Sequence, residues 1–269
     1  MEARLQLRVQ RSGWDRAAPH YDRSWLSALQ PATEIVLDRA GLRPGQRVLD
    51  VACGSVVLTV EAWRKVTDSG EVIGSDISES MLAIARERAP ACRFVRADAQ
   101  DLAALLPHGH FDAVLCGMGL MYLPDPEAAL SSTMRLLRAD GRLVASVWGE
   151  RRACVWADIF GIVDARVQSD VCPMFFRLGS GDTLAAAFRS AGLKDVDFCR
   201  VPATLHYPSA QAACDAAFLG GAVALAHAHF DEPTRVAVQA EYLASIEAFR
   251  HGSRYSLPSE FVVAWGSAA

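Results

Sequence analysis

Through the middle of the chain, short apolar runs alternate with segments whose apolar residues recur at helical spacing. "RVLDVAC" (47–53) reads as a buried strand, and residues 57–66 carry a helical pattern. "GEVIGSDI" (70–77) is a strand that leaves a glycine turn. "SESMLAIARERA" (78–89) follows, with an N-cap serine, a first-turn carboxylate and apolar residues at i, i+3 and i+4; Pro90 closes it. "CRFVRAD" (92–98) and "FDAVLCGMG" (111–119) are two further strands. "PDPEAALSSTMRLLRADG" (124–141) predicts a helix that starts on Asp and Pro and ends on glycine, and "GRLVASVW" (141–148) is a fifth strand.

The flanks read differently. Residues 1–40 contain helical pieces, "GWDRAAPHYDRSW" and "ATEIVLDRAGL", the second stopped by Gly41 and Pro44. Beyond residue 150 come a helical stretch (151–168), an amphipathic helix "DTLAAAFRSAG" and the strand "VDFCRVPATLHY". An alanine-rich helical block at about 209–250 precedes a last strand, "SEFVVAWG". The pattern predicts an α/β fold: a doubly wound, mostly parallel, seven-stranded sheet covered by helices on both faces. Its parts are an N-terminal helical cap (1–40), a Rossmann-like core (41–150) and the rest of the sheet (151–269), with the 209–250 insertion as a lid or substrate wall. Ligands of such sheets lie outside the carboxyl ends of the strands.

Composition narrows the classes. The 269 residues carry 27 basic and 31 acidic side chains, a net charge of −4 with no basic run, which is no footprint for nucleic acid. The seven cysteines (53, 92, 116, 154, 172, 199, 214) show no metal-ligand spacing and read as reduced thiols of a cytoplasmic protein, so no metal is expected. No window is apolar enough for a membrane span, and "MEARLQLRVQRSGW" has no signal-peptide core.

Three aspartates stand at successive strand ends. Asp50 is near the end of the first strand and runs into Cys53-Gly54-Ser55, Asp76 ends the second, and Asp98 ends the third inside "RADAQDL". Any one of them is explained as a helix cap or turn residue. Three in register instead suit a ligand with hydroxyls to bind and an anionic group to place at a helix N-terminus. "CGSVV" lacks the G-x-G-x-x-G spacing of dinucleotide-binding dehydrogenases.

"VLDVACGS", "VIGSDISESMLAIAR", "FVRADAQDL", "FDAVLCGMGLMYLPDPEAAL" and "LLRADGRLVASVW" resemble, in order and spacing, the signature segments of class I S-adenosylmethionine-dependent methyltransferases. The nearest likeness is to the small-molecule group related to the ubiquinone/menaquinone methyltransferases. The resemblance implies S-adenosylmethionine as cofactor, S-adenosylhomocysteine as product and a small-molecule acceptor. It assigns Asp50, Ala52, Cys53 and Gly54 to the loop around the methionine part. It gives Asp76 the ribose hydroxyls, packs Ile77 on the adenine with Met81 nearby, and has Asp98 and the backbone of Ala99 read the adenine amino group. Cys116 and Met118 would lie near the sulfonium.

One position departs from the pattern. The family loop carries glycine where this chain has Ala52, Gly54 and Val56, and a β-branched residue tolerates neither positive φ nor close backbone approach without strain. Either the loop shifts and Val56 opens the helix with the cofactor still bound, or cofactor binding is lost. On the acceptor side, His20, Tyr21, Tyr122 and His206 are candidate acid–base residues, with His227 and His229 as further histidines of the insertion. Trp14, Trp25, Trp148, Trp156, Phe175 and Phe176 are candidate pocket walls, with core packing as their ordinary role. "AACDAAFLGGAVALAHAHF" suits either an apolar substrate or a homodimer contact. The resulting expectation is methyl transfer to a small apolar metabolite: a phenol, a quinone-like compound, a polyketide or a terpenoid. The rivals are a rearrangement or cyclisation on the same scaffold, or a non-catalytic accessory subunit.

Overall fold

A computed structural model describes residues 3–167 and 174–269; Cys172 lies outside the described residues. The strands are β1 (Arg47–Val51), β2 (Glu71–Asp76), β3 (Arg93–Arg96), β4 (Phe111–Gly117), β5 (Leu137–Trp148), β6 (Lys194–Tyr207), β7 (Arg250–His251) and β8 (Arg254–Ser267). They form one sheet in the order β3-β2-β1-β4-β5-β8-β6, with the short β7 paired to β8. β1 to β5 run parallel, and β8 inserts antiparallel between β5 and β6. The expected seven strands are therefore present, and the two-residue β7 makes eight.

Alternation along the strands decides the two faces. Val48, Val72, Ala113, Leu115 and Val144 pack against Val36 and Leu37 of α2 (Gln30–Ala40) and Leu58, Ala62 and Val66 of α3 (Val57–Val66). Their strand neighbours Leu49, Ile73, Val114, Leu143 and Ala145 face the other way. They meet Leu102 of α5 (Leu102–Leu105), Leu130 and Leu136 of α6 (Pro126–Leu136) and Phe188 of α8 (Thr183–Ser190). α4 (Glu79–Arg88) starts on Ser78, whose hydroxyl accepts from the Met81 amide at 3.1 Å, as the N-cap pattern predicts.

Three segments differ from expectation. The first N-terminal piece extends back to Ala3 to make one long helix, α1 (Ala3–Trp25), with Pro19 inside it, and the second forms α2 as expected. α6 stops at Leu136, and Gly141, expected as its terminator, lies within β5. A Cβ at Gly141 would approach the Arg138 and Phe111 carbonyl oxygens to 2.8 and 3.0 Å, so the glycine serves strand packing at a shift in the β4–β5 register. Of the 151–168 stretch, the described residues 151–167 form two short 3-10 turns and α7 (Asp158–Asp164), and residue 168 lies outside the described residues. The 209–250 block is three helices, α9 (Ala210–Phe218), α10 (Ala224–His229) and α11 (Glu232–Ser245), set between the paired strands β6 and β8. Among the described residues no helix is long and apolar enough to cross a membrane. Strand order reverses between β1 and β4, which opens a crevice at their carboxyl ends.

Candidate functional site

The β1–α3 turn forms the floor of that crevice. Its backbone enters the left-handed region at Ala52 (φ 55°), Gly54 (φ 51°) and Val56 (φ 81°). The valine therefore takes the conformation a glycine would take, at a cost of about 1–3 kcal/mol. Its amide donates to the Cys53 carbonyl at 3.0 Å, and its carbonyl accepts from the Val60 amide at 3.0 Å, so the turn is tied before α3 begins. The side chain points away from the crevice into a small cluster with Ala85 of α4 and Ala89 just beyond its end, where it is 2 % exposed. That burial is worth roughly 1.5–3 kcal/mol and offsets the strain. Val56 does not open α3 with helical angles; it is the left-handed residue that precedes Val57, and the strain of the turn falls on Val56 and Ala52. Across the crevice Met118 is also left-handed (φ 58°), and the next residue, Gly119, sits so close to the turn that a Cβ there would lie 2.6 Å from the Ala52 Cβ.

The carboxylates differ in environment. Asp76, at the end of β2, accepts from the Gly54 amide at 2.9 Å and the Ser78 amide at 2.8 Å, fastening the turn to α4. Burial raises its pKa against these hydrogen bonds. Asp50 is deeper: one oxygen accepts from the Thr59 hydroxyl at 2.6 Å, and the other, Oδ1, is buried without a partner among the described residues. Burial, opposed by the Thr59 hydrogen bond and helped by the Asp76 charge, pushes the Asp50 carboxyl up to about 7. Asp98 caps the turn after β3, accepting from the Gln100 amide at 3.0 Å, and also borders the crevice. For Asp98, cap and candidate ligand are one residue.

α1 roofs the site. Leu7, Gln10, Trp14 and Tyr21 face a cavity of about 720 Å³, whose floor includes Ala52, Gly54, Ser75, Asp76, Ile77, Met81, Asp98, Ala99, Gly117, Met118 and Gly119. Two carboxylates of α1 hold the roof down. Asp15 accepts from the Ser78 hydroxyl at 2.6 Å and the Ser80 amide at 3.2 Å. Asp22 pairs with the Ser55 hydroxyl and the Arg88 guanidinium. At its end, Trp25 Nε1 donates to the Gly220 carbonyl at 2.9 Å and joins the roof to the insertion.

Two further cavities adjoin the first. One, of about 520 Å³, runs along the turn past Asp50, Cys53 and Ser55. The other, of about 460 Å³, is an aromatic chamber walled by Trp14, Tyr21, Trp25, Tyr122, Trp148, Trp156, Phe160 and Phe175, with Ala217, Ala222 and Val223 from the α9–α10 region. Among the described residues its lining carries no charged side chain. Trp14, Tyr21, Met118 and Tyr122 border both the first cavity and the chamber. Burial, reinforced by the Asp76 charge, raises the Tyr21 hydroxyl well above its ordinary pKa, so it is a neutral phenol.

Most of the expected residues converge here. Asp50, Ala52, Cys53, Gly54, Asp76, Ile77, Met81, Asp98, Ala99, Met118, Tyr21 and Tyr122 all line one of these three cavities. Cys116 does not: strand alternation turns it into the core beneath Met118, where burial pushes its thiol up to about 12. His20 projects from the far side of α1, beside Arg23 at 3.0 Å, into an outer cleft with His227. His206 is exposed on β6, 3.2 Å from the Ser256 hydroxyl, and His229 is exposed on α10. Of the aromatic walls, Phe176 packs behind Trp156, with ring centres 6.0 Å apart. Gln10, Gly117, Gly119 and the Asp15 and Asp22 contacts escaped the sequence reading; Gly117 and Gly119 within "CGMG" were the available sign of a close backbone approach.

Residues 48–141 match the model of a methyltransferase domain. The nocamycin O-methyltransferase of Saccharothrix syringae is 32% identical over 74% of this chain and 77% of its own length. The ubiquinone/menaquinone biosynthesis C-methyltransferase UbiE of Azotobacter vinelandii is 41% identical over 40% of this chain. That match spans 44% of the relative, less than half its length. Among solved structures, the [4+2]-cyclase SpnF is similar with a TM-score of 0.58 and 21% identity, over 90% of this chain and 82% of that one, a likeness of fold. With the strand-end aspartates, the tied turn and this set of relatives together, the chain belongs to the class I S-adenosylmethionine-dependent methyltransferases.

Proposed function

We propose that the protein transfers a methyl group from S-adenosylmethionine to a small, largely apolar acceptor. The observation that carries the reading is the join at Met118, Tyr21 and Tyr122 between a carboxylate-bearing cavity and an uncharged aromatic chamber. The residues present fit the cofactor. Asp76 and Asp98 offer acceptors for ribose and adenine polar groups, Ile77 and Met81 offer apolar surface for the base, and the unpartnered Oδ1 of Asp50 suits a cationic amino group. When bound, the cofactor supplies an electrophilic methyl on a positively charged sulfur.

The chain's own contribution is then alignment and exclusion of water. α1, held by Asp15 and Asp22, lies over the cavity and narrows its access to solvent. The chamber orients the acceptor so that its nucleophilic lone pair meets the methyl carbon at the join. Tyr21, a neutral phenol, donates a hydrogen bond there and holds its proton. Tyr122 stands on the same border. His20 and His206 have no part in this scheme, since neither borders the chamber.

Val56 was the reason to consider a non-methylating or accessory role, and its side chain faces α4, away from the ligand cavities. The test is mass spectrometry of mixtures containing deuteromethyl-labelled cofactor and a panel of phenolic, quinone-like, polyketide and terpenoid acceptors. Label in at least one acceptor, lost in Asp76→Ala, is expected. Cofactor binding with no label in any class would count against methyl transfer to such metabolites.

A further inference from the structure

Trp156, in the 3-10 turn Val155–Ala157 after β5, is 5 % exposed, and its indole Nε1 is buried with no hydrogen-bond partner among the described residues. The ring is hemmed by aromatic neighbours: Trp148 at 4.8 Å, Trp25 at 5.8 Å, Phe160 at 5.9 Å and Phe175 at 6.0 Å between centroids. Aromatic faces accept an N–H only weakly. Trp25, in the same wall, shows the ordinary outcome, its Nε1 donating to the Gly220 carbonyl. A buried indole N–H ordinarily finds a partner, and an apolar wall that needed only bulk would be served by phenylalanine without leaving a donor unpaired.

We propose that this indole is kept for the acceptor: the molecule that fills the chamber carries a carbonyl oxygen, as a ketone, quinone or lactone does, and that oxygen accepts from Trp156 Nε1. The inference rests on the chamber being the acceptor site. It makes Trp156 a specificity-determining residue, because one fixed hydrogen bond within otherwise apolar walls sets which edge of the acceptor faces Met118 and the methyl donor.

The experiment uses two probes of one skeleton, 1-tetralone and tetralin, which differ by the carbonyl. The full-length protein, labelled with ¹⁵N at its six tryptophan indoles, is titrated with each probe, with and without S-adenosylhomocysteine. Trp156→Phe identifies the Trp156 signal by its loss. The expected result is a downfield shift of that signal with 1-tetralone alone, and affinity for 1-tetralone about tenfold above tetralin. Trp156→Phe should remove that preference. Apolar contact by itself would favour tetralin, the more hydrophobic probe, so the expected order is not given by partitioning. Equal binding, a preference for tetralin, an unmoved Trp156 signal or no binding of either probe would overturn the proposal. Failure of S-adenosylhomocysteine to bind would instead count against the methyltransferase reading, and the probe pair run without it still decides the role of the indole.

Discussion

Asp50→Asn turns the electrostatics of the β1–α3 turn into a measurable slope. The Asp50 carboxyl is raised by burial from an ordinary 3.8 to about 7. Below pH 4 both folded and unfolded chains hold the proton. Between about pH 4 and 7 the folded chain keeps it and the unfolded chain has lost it, so stability falls as pH rises through that window. At 1.36 kcal/mol per pH unit the rise corresponds to roughly 4 kcal/mol, an upper figure for a buried carboxyl coupled to Asp76. Asparagine cannot ionise, and its carbonyl can still accept from the Thr59 hydroxyl. The stability of Asp50→Asn minus that of the natural chain should therefore climb by up to roughly 4 kcal/mol from about pH 4 to about pH 8, read by urea unfolding at each pH. Subtraction cancels the other titrating groups. The same reasoning has S-adenosylhomocysteine, through its cationic amino group, expel a proton from Asp50 near pH 7, an effect the variant loses. Calorimetry in buffers of different ionisation enthalpy measures it. A difference in stability that stays flat with pH would refute the assignment of a buried, neutral Asp50.

Val56→Gly relieves the left-handed strain and gives up a buried side chain. Its unfolding free energy should stay within about 1 kcal/mol of the natural chain, and affinity for S-adenosylhomocysteine should stay within about threefold. Binding that appears only in the glycine variant would contradict the orientation of the valine. Asp22→Ala removes the acceptor shared by Ser55 and Arg88, so hydrogen exchange in α1 should quicken and S-adenosylhomocysteine should dissociate about tenfold faster. Unchanged exchange in α1 would mean that Asp15 and Trp25 hold the roof without it.

The parts legible in the sequence were those written locally. The parallel strands came from apolar runs, and the α4 start came from Ser78. The three strand-end aspartates came from their register. What escaped depends on direction and distance. His20 and Tyr21 are neighbours on α1, but adjacent helical residues point about 100° apart, and only Tyr21 faces the site. Cys116 and Met118 were read as equivalent, yet the chain leaves β4 between them and Met118 adopts positive φ, which brings it to the cavity and leaves Cys116 in the core. The Asp15–Ser78 contact joins residues 63 apart and has no local signature. Val56 was rightly singled out from its residue type. Its consequence was hidden, because the pocket that takes its side chain is made by α4.

The central claim is that the crevice at the ends of β1, β2 and β4 binds the methyl donor through Asp76. Calorimetric titration of the natural chain and Asp76→Ala with S-adenosylhomocysteine tests it most directly, with circular dichroism to confirm that the variant is folded. Micromolar binding by the natural chain, weakened by about a hundredfold or more in the variant, is the predicted result. No binding by the natural chain, or equal binding by both, would contradict it.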